Sequence, residues 1–454
     1  MSKTIKLRKG LDIRLIGAAN KFKTEVQLPK TVSIRMDDFH GLTPKMNVKE
    51  GESVKTGSIV FYNKYQEQVK FASPVNGKIE AIVRGAKRRI LEIIITVDDE
   101  QSAGTVAAVD SSKMSGDEVK TTMLNAGLWP FIKQRPLDVI ADPDRAPKAI
   151  FISAFDSSPL APDLDYVLHG QNQSFQAGID AISKLTEGKV YLTLNAKAPA
   201  DTTFTDAKGV EVNSMYGKHP AGNVGTQIHH LDPVNKGEFV WTLNAQDVAI
   251  IGRYFLTGNY DAKRTIALTG SEIKNPTYID TIAGANVSEI LKDQVATDNV
   301  RVISGNVLTG DKIAQDGHLG FYHNQMTVIP EGNQLKFVLT KGWMGPGFDK
   351  YSNNRLMLSA WFGRKKYFRQ DTNTYGEERA FVVTGELEKV FPFDILPMQL
   401  VKAAITDDID GMENLGIYEV APEDFALCDY VCTSKIDIQD KIRTGLDLIA
   451  SECM

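Results

Sequence analysis

Val48-Lys49-Glu50-Gly51-Glu52-Ser53-Val54-Lys55-Thr56-Gly57-Ser58-Ile59-Val60-Phe61, completed by Ser73-Pro74-Val75-Asn76-Gly77 and an apolar run over 78–83, sets the first architectural unit. Val48, Gly51, Val54 and Gly57 recur every three residues. Glycines allow tight turns between very short strands, and the valines fill a thin core from both sides. The pattern is that of a barrel-sandwich hybrid of the biotinyl and lipoyl kind. A carrier version of that fold needs an exposed lysine at a hairpin tip, usually beside methionine. Lys64 lies between the two half-motifs, but its neighbours are Asn63 and Tyr65. An unmodified scaffold is the expectation.

Outward from this unit the chain divides by composition. β-rich runs fill residues 1–100, and 101–116 is small, polar and aperiodic, as a linker should be. Residues 117–260 begin a different pattern: an apolar strand over 149–154, a helix over 171–186 with apolar positions Phe175, Ile179, Ile182 and Leu185, then a strand over 189–194. Strand, helix, strand implies a Rossmann-like α/β unit with a parallel sheet. Any ligand should lie beyond the strand C-termini, near Phe155, Asp156 and Ser157 or near Asn195. Residues 216–233, with His219-Pro220-Ala221-Gly222-Asn223 and then His229-His230, read as a structured loop. Residues 261–312 read as a compact β-grasp unit, 313–384 as a β-rich aromatic region, and 385–454 as helical, with Pro392 and Pro397 setting boundaries. The fold class expected is therefore multidomain α+β.

Length and charge agree with several compact units. The 454 residues exceed one ordinary core. No apolar run is long enough to span a bilayer, and no secretory signal is expected at the basic N-terminus. Cys428, Cys432 and Cys453 offer no disulfide framework, which suits a reducing compartment. Formal net charge is −5, yet residues 1–100 carry 19 Lys and Arg against 12 Asp and Glu, so the excess of acid lies downstream.

Redox and catalytic signatures are missing. A dinucleotide fold usually places Gly-x-Gly-x-x-Gly after its first strand, because glycine lets backbone amides approach pyrophosphate. Here Ala154-Phe155-Asp156-Ser157-Ser158-Pro159 follows, and its bulk and charge oppose phosphate. His229 and His230 are adjacent, which is not metal-ligand spacing in an extended segment. Cys428 and Cys432 would share one helix face, but an iron-sulfur cluster generally needs four thiolates, so buried thiols are expected. No catalytic, cofactor-binding or metal residue is nominated. Trp361, Phe362, Arg364, Lys365, Lys366, Tyr367 and Arg369 interleave aromatics with cations. A β-hairpin with snorkelling basic side chains is the plain reading, and as a contact they are the candidate for a protein partner or a membrane surface, in preference to nucleic acid.

Several unrelated segments, taken in order, resemble one family: Ile5-Lys6-Leu7-Arg8-Lys9-Gly10-Leu11-Asp12, Gly127-Leu128-Trp129-Pro130-Phe131-Ile132-Lys133-Gln134-Arg135-Pro136, His219-Pro220-Ala221-Gly222, Phe393-Asp394-Ile395-Leu396-Pro397, and the Leu427-Cys428 to Cys432 segment. They look like the A subunit of the Na+-translocating NADH:quinone reductase, the NqrA family. This family is similar to the C subunit of the Rnf complex and to the flavin-binding subunit of respiratory complex I, and the likeness extends to a soluble-ligand-binding β-grasp (SLBB) unit. The resemblance implies a peripheral subunit on the cytoplasmic side of the bacterial inner membrane. Its complex would couple NADH oxidation and ubiquinone reduction to Na+ export. It implies docking chiefly on the membrane-embedded B subunit, a role in quinone binding, and NADH, flavins and an iron-sulfur cluster on other subunits. Where relatives carry a glycine-rich flavin loop, this chain has Leu128-Trp129-Pro130-Phe131. The competing reading, from the α/β plus β-grasp architecture, is a self-contained flavin-dependent NADH oxidoreductase.

Overall fold

Ala149–Ser153, Lys189–Asn195 and Val240–Asn244 are short β-branched and aromatic runs that bury almost every side chain, as strands covered on both faces must. In this computed structural model they form the centre of a seven-stranded sheet. The residues described are 3–24, 28–101, 110–334, 336–337, 339–340, 344–348, 350–351, 358–362 and 366–454. The sheet order is Thr4–Lys6, Glu211–Tyr216, Lys189–Asn195, Ala149–Ser153, Val240–Asn244, Lys133–Arg135, Val139–Ile140. The first five strands are parallel and the last two antiparallel. The order reverses between Ala149–Ser153 and Val240–Asn244, which makes their C-terminal ends the topological switch point.

Helices Asn172–Ile182 and Ala245–Thr257 pack together on this sheet. Their crossing is glycine-dependent: a Cβ on Gly252 would fall 1.7 Å from the Ser174 carbonyl oxygen, and one on Gly178 would fall 2.0 Å from that of Val248. The expected helix over 171–186 is observed with its last turn tightened to a 3-10 turn, Ser183–Leu185.

The glycine-spaced N-terminal region forms two facing sheets. One has the order Thr31–Arg35, Ile90–Val97, Gly77–Arg84, Ser53–Val54, and the other Pro44–Met46, Ile59–Asn63, Gln66–Ala72. Phe61 and Phe71, cross-strand neighbours on the second sheet, stack at 4.3 Å and are buried in the barrel core. Residues 4–24, however, leave this unit. Thr4–Lys6 is an edge strand of the α/β sheet, Ile13 and Leu15 sit in the core of the C-terminal helices, and Asn20–Thr24 is the edge of a third sheet. That six-stranded sheet has the order Asp311–Ile313, Val300–Ser304, Gln325–Pro330, Lys263–Thr269, Thr277–Ile282, Asn20–Thr24.

The expected β-rich region over 313–384 is corrected. Gln325–Pro330 belongs to the β-grasp sheet. The described residues from 331 to 384 hold one helical turn, Ser359–Phe362, and no strand beyond an isolated bridge from Phe368 to Leu15. Their aromatics are largely on the surface, so β-propensity there found no sheet to join. The C-terminal residues form Leu387–Val390, Pro397–Ile405, Ile409–Asn414, Ala426–Val431 and Ile438–Cys453 around a separate core. No helix among the described residues is long and apolar enough to cross a membrane.

Candidate functional site

A cleft of about 420 Å³ opens at the switch point, and all the major units contribute to it. Ser153, Phe155, Asp156 and Ser158 come from the end of one central strand, and Leu243 and Asn244 from the end of its neighbour. Asp37 and Asp38 reach in from the N-terminal barrel, Tyr322, His323 and Asp311 from the β-grasp unit, and Glu423 and Gln439 from the C-terminal helices. Phe155 and Asp156, at the first of the two expected ligand positions, are among its lining residues. Asn195, at the second expected position, is not among its lining residues; its Oδ1 accepts from the Lys197 amide at 3.0 Å.

Two loops are pressed together at the cleft wall. The Ser157 hydroxyl accepts from the Gly222 amide at 2.7 Å and lies 3.1 Å from His219 Nδ1. A Cβ on Gly222 would fall 2.5 Å from the Ser157 nitrogen, so only glycine fits. Burial pushes the His219 imidazole down to about 4, and that of His323 likewise to about 4. Both are neutral at pH 7. Asp38 accepts from the Phe321 amide at 2.9 Å, and burial raises it to about 6 against the pull of Arg35.

A charge cluster at the cleft wall centres on Arg135, whose side chain is nearly inaccessible. Its guanidinium binds Glu423, meets Asp424 at 3.1 Å and Asp138 at 3.4 Å. Burial works against its charge, and the three carboxylates together outweigh that, holding it protonated. Asp138 is half-buried, and Lys133, Arg135 and Arg443 outweigh the cost of desolvation and keep it ionised. Burial lifts Glu423 to about 7 and raises Asp424 too. The residue types at 135, 138, 423 and 424 gave no advance sign of this cluster, since its partners lie nearly three hundred positions apart.

Against a flavin or dinucleotide the lining fits poorly. Asp37, Asp38, Asp138, Asp156, Asp311 and Glu423 share the lining with Lys133 and Arg135, and Arg135 is already held by Asp138, Glu423 and Asp424; Asp37 and Asp311 pair with Arg89 and Arg35. Phosphate would meet net negative charge. The segment 128–131 is no phosphate loop either. Trp129–Phe131 is a buried 3-10 turn whose Trp129 indole donates to the Ala141 carbonyl at 2.7 Å and meets Trp241 edge-on at 5.3 Å.

His229 and His230 require a correction, because they sit on helix Val224–Leu231 rather than in a loop. Val224, Ile228 and Leu231 have helical spacing that could have shown this. His229 Nε2 accepts from the Asp394 amide at 3.0 Å while Nδ1 lies 2.8 Å from Glu419, which fixes a neutral ring with its proton on Nδ1. Cys428 and Cys432 are buried, and among the described residues no group of three His, Cys, Asp or Glu is placed to hold a metal ion. Lys64 stands exposed in the turn between Ile59–Asn63 and Gln66–Ala72, its ammonium over the Tyr65 ring.

The aromatic and basic stretch divides. Trp361, Phe362, Lys366 and Tyr367 are exposed, whereas Arg369 is engaged by Glu272 through two bonds of 2.7 and 3.0 Å. Arg364 and Lys365 lie outside the described residues.

Comparison with known proteins places this arrangement. The family model of the NqrA N-terminal barrel-sandwich hybrid domain matches residues 5–98, that of the NqrA second alpha/beta domain residues 114–260, and that of the NQRA C-terminal domain, an SLBB domain, residues 265–315. The A subunit of the Na(+)-translocating NADH-quinone reductase of Neisseria meningitidis serogroup C is 38% identical over 99% of this chain and 100% of its own length. That of Marinomonas sp. is 37% identical over 98% and 99%, and that of Pasteurella multocida 35% over 99% and 100%. Among solved structures, an NAD+-reducing [NiFe]-hydrogenase chain aligns with 12% identity over 76% of this chain and 62% of that chain, at a TM-score of 0.36, too slight a likeness to argue from. On three domain matches and end-to-end similarity, the chain belongs to the NqrA family, the A subunits of Na+-translocating NADH-quinone reductases.

Proposed function

We propose that this chain is the cofactor-free peripheral subunit of a Na+-translocating NADH:quinone reductase, docked on the cytoplasmic face of the membrane chiefly against the B subunit. NADH oxidation and the flavin and iron-sulfur steps belong to other subunits. The observation that carries this reading is the acidic switch-point cleft: at the position where α/β folds hold nucleotides, six carboxylates share the lining with two cations. Trp129 to Phe131 add to it by spending on packing the segment that would hold a flavin loop. Contact with ubiquinone belongs in this proposal to the face turned toward the B subunit. The exposed Trp361, Phe362, Lys366 and Tyr367 mark the membrane-facing side.

The test is purification of the full chain with and without its membrane partners. Alone, it should be colourless, unreactive with NADH and of unmodified mass, including at Lys64. From membranes, a tagged chain should bring down the NADH-oxidising assembly. Bound flavin in the isolated chain would favour the self-contained oxidoreductase, and failure to recover membrane partners would remove the placement in the complex.

A further inference from the structure

Arg84-Gly85-Ala86-Lys87-Arg88-Arg89 forms the tip of the hairpin between Gly77–Arg84 and Ile90–Val97 on the N-terminal barrel. Residues 28–100 carry twelve Lys and Arg against ten Asp and Glu, and four of those cations fall in these six positions, which hold no acid. Arg84, Lys87, Arg88 and Arg89 are all exposed. Arg89 pairs with Asp37 at 3.2 Å in a contact open to solvent, and Arg84 Nη1 donates to the Arg88 carbonyl at 3.2 Å. Among the described residues Arg84, Lys87 and Arg88 form no ion pair. The acids of the two strands are engaged elsewhere: Glu92, cross-strand from Val83, meets His318 at 2.9 Å, and Glu80 accepts from the Thr96 hydroxyl at 2.9 Å.

The backbone at this tip is strained. The Arg89 amide donates to the Ala86 carbonyl at 3.1 Å and the Gly85 amide to the Arg89 carbonyl at 2.8 Å, which closes a turn on Lys87 and Arg88. Both residues are left-handed, at φ 54° and 61°. Hairpin turns that need positive φ at both central positions favour Asn-Gly, because other side chains are crowded there. Here two long cations stand where Asn and Gly would relax the chain. Strain retained at a pair of fully displayed charges points to a ligand contact rather than to folding.

The surroundings select the ligand. Cations on a convex tip suit the phosphates of a membrane surface, whereas a protein interface takes its anchors into matched pockets. Guanidinium groups grip phosphate oxygens through two N–H groups at once. Val83 and Leu91, 37% and 36% exposed, give the root of the tip an apolar collar, and Leu91 lies over Gly85, where a Cβ would fall 3.0 Å from it. Residues 83–91 contain no aromatic ring on which a base could stack, which disfavours single-stranded nucleic acid.

We infer that the Arg84, Lys87 and Arg88 tip is a headgroup contact that grips the phosphates of anionic phospholipid. The inference rests on the peripheral-subunit reading and adds to it a direct lipid contact on the barrel.

The experiment is co-sedimentation of the full chain with vesicles of phosphatidylcholine alone or containing about one-third phosphatidylglycerol. At about 0.05 M NaCl the wild-type chain should sediment with the anionic vesicles and stay soluble beside the neutral ones, and about 0.5 M NaCl should release it. Lys87→Asn with Arg88→Gly should reduce the bound fraction roughly five-fold or more while melting no lower than the wild-type chain, since it relaxes the turn. Lys87→Gln with Arg88→Gln, which removes the charge alone, should lose binding equally. Lys49→Gln with Lys55→Gln, the same charge change elsewhere on the barrel, should lose less. Equal binding to both vesicle types, no binding to either, or tip variants that bind like the Lys49, Lys55 control overturn the inference. So does an Asn-Gly variant that melts below the wild-type chain, because the strain argument then fails. If vesicles do not bind but a tip variant loses its membrane partners, the tip is a protein contact and the lipid inference falls. Recovery of membrane partners by the wild-type chain is read separately: its failure removes the peripheral-subunit reading, whatever the vesicles do.

Discussion

The α/β unit meets two neighbours in opposite ways. Toward the N-terminal barrel it shares one continuous apolar core: Val60, Phe61 and Phe71 belong to the same cluster as Trp129, Ile150 and Trp241. The contact is close enough that a Cβ on Gly127 would fall 2.7 Å from that of Ala72. Toward the C-terminal helices, which have their own core, the contact is made largely by charge and hydrogen bonding. Arg135 binds Glu423 and Asp424, His229 joins Glu419 and Asp394, Lys236 pairs with Glu413 and Arg443 donates to the Leu137 carbonyl. An apolar seam fuses two units into one cooperative body, because burial is non-directional and proportional to area. A polar seam is directional and can be undone one bond at a time.

That contrast can be broken from either side. Trp129→Ala removes a fully buried indole at the shared core and should cost about 3–5 kcal/mol. Barrel and α/β unit should melt together at lower temperature in calorimetry; separate transitions would show that the seam is not cooperative. Arg135→Ala leaves the buried carboxylate of Asp424 without its partner, at a cost of about 3 kcal/mol or more. The loss should fall on the C-terminal unit, with limited proteolysis releasing a fragment near residues 385–454 while the remainder stays folded. His229→Ala removes the acceptor of the exposed Asp394 amide and a ring stacked on Phe393 at 4.7 Å, and should cost about 1 kcal/mol, read as faster hydrogen exchange at 387–397.

The smallest expected effect is on pH dependence. Glu423 is raised from its usual range to about 7, so the folded state binds more protons than the unfolded one between about 4.5 and 7. Its ionised form therefore weakens the C-terminal seam above pH 7 and ceases to do so as pH falls. His219 and His323, lowered to about 4, act in the reverse sense: acidification from about 6.5 toward 4 costs stability as the unfolded chain takes up protons first. Release of the C-terminal fragment should be slower at pH 6.5 than at pH 8, roughly two- to three-fold. Glu423→Gln should abolish the difference; a pH response that survives it would assign the effect elsewhere.

Much of the architecture is legible because it is local. Gly51 and Gly57 mark turns, Phe175, Ile179 and Ile182 mark one helix face, and 149–154 reads as a strand from composition alone. Phe155 and Asp156 can be placed at the cleft by the rule for parallel strands. What stays hidden is non-local. Arg135 gains meaning only from Glu423 and Asp424, and the residues at 4–24 gain theirs from sheets and helices encoded far downstream. Aromatics between 331 and 384 mimic strands in the sequence because side-chain propensity does not say whether a sheet exists to receive them.

The path of residues 4–24 has a consequence for how the protein comes into being. Thr4–Lys6 waits for Glu211–Tyr216, Asn20–Thr24 for Thr277–Ile282, and Leu15 for Phe368 and the C-terminal helices. Synthesised before the segments they pair with, these residues are therefore among the last to find their places. During translation the barrel and central sheet can assemble behind them, but two sheet edges stay open until the tail folds back, and loop closure across hundreds of residues is slow. Chain assembly is thus a stitch drawn tight at the end, with unpaired strand edges exposed to other nascent chains until then.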